Sequence, residues 1–287
     1  MKNTLILFIS MFVLQAQAQN TGVKRYLYGN EEIPGAAKLL KDLEEKEKPK
    51  LYTHTSQVSN PKDIVFLVIP GGAYVGVAIG HEGHDVANRL NELGYHAYVL
   101  DYRMPIKENM IDKRFGPLQD AQTAMHIIRQ EHKGKKVAVL GFSAGGHLAS
   151  TLSTFFNKPQ LKDYKKKQIR PDYSVLCYPV ISMEDGVTHQ VSREKLIGPN
   201  HSAEDVILFS TDKQVTKKNQ PTFLMSAKDD EGVPIENSYR YQAALNKYKI
   251  PNTIFEYEKG GHGFGMINKT DDRRWLDAMI EWLTALK

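Results

Sequence analysis

The chain has a single cysteine, Cys177, among its 287 residues. It therefore has no internal disulfide, and its fold must rest on a core rather than on covalent staples. Cys177 lies in "YSVLCYPV", the setting of a strand interior, where a thiol serves as a small apolar residue rather than a nucleophile. Beyond the first twenty residues no apolar run is long enough to span a bilayer. Internal repeats and low-complexity blocks are also missing. The metal-ligand spacing His-Glu-x-x-His is absent as well: His81 and His84 form "HEGH", one residue short of two ligands on one helical face. No metal and no cofactor are expected. The net charge of +5 is small, and the lysine cluster at Lys162 and Lys165–Lys167 reads as a solvated helix face. Nucleic acid is not an expected partner.

What is present begins with "MKNTLILFISMFVLQAQAQN". Lys2, an apolar run from Leu5 to Leu14, and the small-x-small triplet Ala16-Gln17-Ala18 have the pattern of a secretory signal peptide, 1–18, cut after Ala18. The expectation is an exported protein, periplasmic or secreted, without stable membrane insertion. Hydrophobic residues make up 41% and charged residues 25%, ordinary for a globular chain, so disordered and fibrous classes are set aside. The oligomeric state is not legible.

Residues 19–62 read as a lead-in, with the charged stretch "EEIPGAAKLLKDLEEKEKPK" (31–50) helix-prone and on the surface. From residue 63 strand and helix signals alternate. "DIVFLVIP" (63–70), "HAYVLDYR" (96–103), "KVAVLGF" (136–142), "YSVLCYPV" (173–180), "PTFLMSA" (221–227) and "NTIFEYE" (252–258) are strands, most of them almost continuously apolar. Helices are expected at 83–94, 116–132, after Phe142, at 237–248 and at the C-terminal end. Such alternation implies an α/β fold in a single domain, 63–287: a mostly parallel central sheet with helices on both faces. The polar segment 181–220 breaks the rhythm and reads as an irregular loop excursion of the kind that carries function.

"VAVLGFSAGGHLAS" (137–150) places a serine where a buried strand gives way to a helix. A serine hydroxyl is a weak nucleophile unless it projects from its backbone toward a base. A sharp strand-to-helix turn projects it, and small residues two positions away on either side make room. Here those are Gly141 and Gly145, so Gly-x-Ser-x-Gly centres on Ser143. The helix N-terminus favours negative charge, and the Ala144 N–H is a natural oxyanion donor. The glycine turn "IPGGAYVG" (69–76) offers Gly72 and Ala73 as further donors. For the base, His262 in "KGGHGFG" follows a strand and lies among glycines, whereas His147 sits within the helix after Ser143 and reads as a packing residue. For the acid that orients the base, "SAKDDEGVPIENS" offers Asp229, Asp230 and Glu231, with Asp185 a weaker alternative. Taking Asp230, the order Ser143, Asp230, His262, each after a different strand, is that of an α/β-hydrolase.

"PGGAY", "GFSAGGHLA", "YPVIS", "DDxxVPxxNS" and "GGHGFG" together resemble the secreted α/β-hydrolase esterases that act as acetylxylan or carbohydrate esterases, the BD-FAE and dienelactone-hydrolase-like group. The similarity runs from about Asp63 to the C-terminus. The resemblance implies Ser143 as nucleophile, Asp230 as acid, His262 as base, and Gly72, Ala73 and Ala144 as backbone donors. Segment 188–200 also looks like a loop of that group. Ala73 stands where relatives carry glycine and Pro70 where many carry histidine; neither change removes a backbone donor. The expected activity is hydrolysis of carbohydrate O-acetyl esters through an acyl-enzyme, on acetylated oligo- or polysaccharide. Tyr74, Tyr102 and Tyr178 are candidate sugar-stacking residues. A serine peptidase of the prolyl oligopeptidase type and a non-catalytic binding protein are the alternatives.

Overall fold

The computed structural model describes residues 20–29 and 32–286; the expected signal peptide, 1–18, lies outside the described residues. Eight strands among the described residues form one sheet in the order β1-β2-β4-β3-β5-β6-β7-β8. They are β1 (Val23–Tyr26), β2 (Lys50–His54), β3 (Ile64–Ile69), β4 (His96–Asp101), β5 (Lys136–Phe142), β6 (Tyr173–Cys177), β7 (Thr222–Ala227) and β8 (Asn252–Tyr257). From β4 to β8 across the sheet all neighbours are parallel, whereas β2 pairs antiparallel with both β1 and β4. The helices are α1 (Asp85–Glu92), α2 (Gly116–Glu131), α3 (Ser143–Thr154), α4 (Lys166–Ile169), α5 (Gln190–Ile197), α6 (Ala203–Phe209), α7 (Glu236–Lys247) and α8 (Trp275–Ala285).

The apolar continuity of the central strands follows from their having a core on each face. In β3, Val65, Leu67 and Ile69 enter one cluster with Leu118, Met125, Leu148 and Leu152 of α2 and α3. The alternate residues Phe66 and Val68 enter the other, with Val86 and Leu90 of α1 and with Trp275 and Met279 of α8. Side chains two apart point to one face, so both sets of β3 residues must be apolar. This is the architecture of an α/β-hydrolase. Cys177 closes β6 as a fully buried member of the second cluster, and burial raises its thiol well above the ordinary range.

The chain leaving β4 is anchored by an ion pair with almost no solvent access. Arg103 is 3% and Asp120 0% exposed, with nitrogen and oxygen 2.7 Å apart. Asp120 also accepts the Tyr28 hydroxyl at 2.7 Å and the Arg103 N–H at 2.9 Å.

Three sequence expectations need correction. The lead-in is not a surface helix: among the described residues of 31–50 the helical structure is limited to 3-10 turns at Leu40–Asp42 and Glu45–Glu47, and the chain on either side supplies the edge strand β1 and its neighbour β2. Nor is 181–220 irregular. It carries α5, α6 and a 3-10 turn at Thr211–Gln214. α6 is opened by Ser202, whose side chain accepts from the Asp205 N–H at 3.1 Å. The strand expected at 173–180 stops at Cys177, because Tyr178 takes a left-handed backbone with φ 33°.

Candidate active site

Ser143 lies where β5 passes directly into α3, in a left-handed backbone conformation with φ 51°. For a non-glycine residue that conformation costs about 1–2 kcal/mol, and the surroundings hold it in place. The two flanking glycines are needed because the turn is packed tightly: a Cβ at Gly145 would run into the backbone carbonyls of Ile69 and Pro70, and one at Gly141 into the Gly145 carbonyl. The turn thus presses against the end of β3.

Because the strands are parallel, the segments that follow β5, β7 and β8 leave the sheet at one edge, where open α/β sheets place their sites. The structure brings together Ser143 after β5, Asp230 after β7 and His262 after β8. His262 Nε2 lies 2.8 Å from Ser143 Oγ, and His262 Nδ1 lies 2.6 Å from Asp230 Oδ2. Since Asp230 can only accept, Nδ1 carries the proton and Nε2 is left to accept from the serine hydroxyl. Asp230 has no exposed side chain surface, while the His262 side chain is 29% exposed, so the imidazole faces solvent with its back to a buried anion. The second Asp230 oxygen, Oδ1, accepts the N–H groups of Gly232 and Val233 at 2.9 and 2.8 Å. Asp229 is engaged elsewhere. Its Oδ1 accepts the Gly261 N–H at 2.8 Å, and that bond holds its carboxyl below the ordinary range. Glu231 is exposed. Asp185 is also distant from this role, pairing with Arg193 at 2.6 Å.

Beside Ser143 the glycine turn runs through three consecutive left-handed or extended-positive residues, Gly72 (φ 132°), Ala73 (φ 56°) and Tyr74 (φ 58°). A Cβ at Gly72 would collide with the Gly76 carbonyl. Among the described residues, the N–H groups of Gly72 and Ala73 donate to no acceptor, whereas Gly71 N–H does. Ala144, in the first turn of α3, has no preceding helical carbonyl to bond. Three unengaged donors in this arrangement can stabilise charge that develops on a carbonyl oxygen.

The three tyrosines do not serve as sugar platforms. Tyr178 is fully buried, and Tyr74 and Tyr102 are each 2% exposed. Each hydroxyl is bonded internally: Tyr74 to His147 Nδ1, Tyr102 to the Pro70 carbonyl and Tyr178 to Glu82. A ring packed in the core has no free face on which a sugar can stack. His147 is a packing residue as expected. Its Nε2 donates to the Phe209 carbonyl at 2.8 Å, so its Nδ1 accepts from Tyr74, and burial lowers it to about 4. His84 bonds His54 at 3.0 Å. Among the described residues no three His, Cys, Asp or Glu side chains gather as metal ligands.

A cavity of about 730 Å³ opens behind the glycine turn, lined by Val75, Val77, Met104, Ile106 and Met110 among others. Ser143 and His262 are not part of its wall. Two residues near the site escaped the sequence reading. His189, at the start of α5, bonds the buried Ser192 hydroxyl through Nδ1 at 2.8 Å; burial and then the nearby His262 hold it below the ordinary histidine range. Its only sequence signal was its place in the 181–220 excursion. Glu82, 3% exposed, lies inside a π-helical turn, Ile79–His84. A lone acid beside glycines carries no periodic signal that marks it as buried.

Comparison with known proteins supplies the context for this geometry. The BD-FAE family model matches residues 51–245. The chain is 35% identical over 225 residues to endo-1,4-beta-xylanase B of Butyrivibrio fibrisolvens, covering 76% of this chain and 34% of that protein. It is 32% identical over 215 residues to an acetylxylan esterase of Xylanibacter ruminicola, covering 72% of this chain and 42% of that protein. It thus spans well under half the length of these curated relatives. Among solved structures, an acetyl ester-xyloside bifunctional hydrolase from Caldicellulosiruptor lactoaceticus superposes with a TM-score of 0.77 at 31% identity, covering 92% of this chain and 96% of that one. The carboxylesterase Cest-2923 from Lactobacillus plantarum shares the fold, with a TM-score of 0.69 at 20% identity and coverage of 92% and 96%.

Proposed function

The chain belongs to the BD-FAE family, and from that premise we propose that it is a serine carboxylesterase removing O-acetyl groups from carbohydrates. The observation that carries the reading is the continuous hydrogen-bonded path from Ser143 Oγ through His262 to the buried Asp230, beside unengaged backbone donors. His262 Nε2 takes the Ser143 proton as Oγ attacks the ester carbonyl. The resulting oxyanion is held by the amides of Ala144, Gly72 and Ala73. His262, charged and steadied by Asp230, then gives its proton to the leaving sugar hydroxyl. Water, deprotonated by His262, attacks the acyl-enzyme and releases acetate.

The carbohydrate assignment draws on the relatives: an acetylxylan esterase and a xylanase by sequence, and an acetyl ester-xyloside hydrolase by structure. Export, on the reading of residues 1–18, places such an enzyme where polysaccharide is met, and no helix among the described residues is long and apolar enough to cross a membrane. We take 63–287 as the catalytic domain, with β1 and β2 of the preceding segment completing its sheet.

The test is acetate release from a panel of acetylated oligosaccharides, xylo-oligosaccharides included, with Ser143→Ala as control. Release by the wild type and none by the variant supports the reading. Hydrolysis of a peptide anilide but of no acetyl ester would move the protein to the peptidases. Failure of a fluorophosphonate to label Ser143 would make it a binding protein.

A further inference from the structure

Glu82 is a buried acid in the wall behind Ser143. Its two oxygens serve two different loops. Oε2 accepts the Gly71 N–H at 2.8 Å, at the start of the glycine turn. Oε1 accepts the Tyr178 hydroxyl at 2.8 Å. The same Tyr178 oxygen accepts the Gly265 N–H at 2.9 Å, three residues beyond His262. Space is tight along this path. A Cβ on Gly71 would meet Glu82 Oε2, the Phe142 carbonyl and Ser143 Cβ, each at 2.8 Å. The Tyr178 ring in turn sits edge-on to the His262 ring, with centroids 4.9 Å apart.

We propose that Glu82 is a positioning residue that couples the oxyanion turn to the His262 loop through Tyr178; this deepens the esterase reading and rests on it. The hydrogen-bond inventory admits one assignment. Both hydrogen-bond partners of Glu82 are donors, with His81 Nε2 farther off at 3.8 Å from Oε1: the Gly71 amide has no acceptor capacity, and the Tyr178 hydroxyl has one hydrogen, aimed at Glu82 because its oxygen is accepting from Gly265. A carboxylate with two accepting oxygens satisfies all of these groups at once. A glutamine cannot, because one of its two termini is a donor. If its oxygen faces Gly71, its NH₂ opposes Tyr178 and leaves the hydroxyl hydrogen without an acceptor. If reversed, it opposes Gly71. The pinned Gly71 amide fixes the direction from which the chain enters Gly72 and Ala73. The pinned Gly265 amide fixes the far side of the loop that presents His262. One side chain thereby sets the distance between the oxyanion donors and the base, which a reaction at a shared carbonyl carbon requires.

The isosteric variants Glu82→Gln and Tyr178→Phe test this, with folding checked by circular dichroism and thermal melting. Two readouts are taken on the full chain: kcat and KM on nitrophenyl acetate, and the low-field proton resonance of His262 Nδ1–H, which does not depend on turnover. Coupling predicts that each variant lowers kcat by about ten- to a hundred-fold, the range of an ångström-scale misplacement, with KM little changed. The double variant loses no more than the worse single one, because both break one path. The resonance moves or broadens in both. Wild-type kcat with an unmoved resonance overturns the proposal, as does a double variant whose loss is the product of the single losses. An inactive wild type would unseat the esterase reading instead, and the resonance alone would then decide the coupling.

Discussion

Asp230 is locked from both sides: Oδ2 lies 2.6 Å from His262 Nδ1, while Oδ1 is held by the amides of Gly232 and Val233. The carboxylate cannot turn away, so the imidazole is held in one tautomer. Asp230→Asn offers His262 an amide in place of an anion and is expected to lower kcat by about 10⁴-fold. Asp229→Asn, which disturbs bonds to the backbone of Gly261 and Gly260 but none to the His262 ring, should lower it by less than about tenfold. Steady-state hydrolysis of nitrophenyl acetate separates them, and equal losses would mean that the acid has been assigned to the wrong residue.

Gly145 faces the backbone carbonyls of Ile69 and Pro70, which cannot step aside as a side chain could. Gly145→Ala should destabilise the fold by at least the roughly 1–3 kcal/mol typical of overpacking and slow labelling of Ser143 by a fluorophosphonate. Gly76→Ala is the control, since an added methyl there meets nothing within 4 Å. Urea unfolding of the two variants should differ accordingly; matching midpoints would mean that the turn has room to spare.

His147 is neutral in the folded protein, with burial lowering it from 6.5 to about 4. The unfolded chain therefore takes up a proton first. Stability is fully present above pH 6.5, falls as the pH drops from there toward 4, and is then flat as far as this group is concerned. For so deeply buried a residue the loss is on the order of 3 kcal/mol. His54, also lowered to about 4 by burial, adds to the same window. Melting temperatures taken between pH 7 and 4 should decline, and His147→Gln, less stable at neutral pH, should decline less steeply. An unchanged slope in that variant would refute the role given to His147.

Arg103 and Asp120 stand together without solvent. Removing one charge strands the other, so Arg103→Met should cost about 3–5 kcal/mol in urea unfolding. Adding Asp120→Leu should recover part of it, because the stranded charge is gone. A double variant no better than the single would show that Asp120 is satisfied by Tyr28 and the backbone alone.

The central strands were legible because each is apolar on both faces, a pattern only a doubly covered sheet requires. The Ser143 turn was legible because crowding there admits little but glycine on either side. β1 and β2 were missed for the opposite reason. β1 is mostly exposed, and Lys24 and Arg25 give it no apolar face, so its strand character comes from pairing with β2 rather than from its own residues. The three tyrosines looked like platforms because they lie near strand ends. Which way a ring turns there depends on partners distant in sequence: His147 for Tyr74, Pro70 for Tyr102, Glu82 for Tyr178. Glu82 was invisible on the same ground, since its burial is decided by residues 11 and 96 positions away.

Cys177, the one thiol of the chain, closes a central strand and has no solvent contact. It is therefore a built-in reporter of opening. An alkylating reagent can reach it only when β6 comes away from its neighbours, so the rate of its modification in native buffer measures how often the sheet itself gives way, with no engineered label and no second thiol to confuse the count.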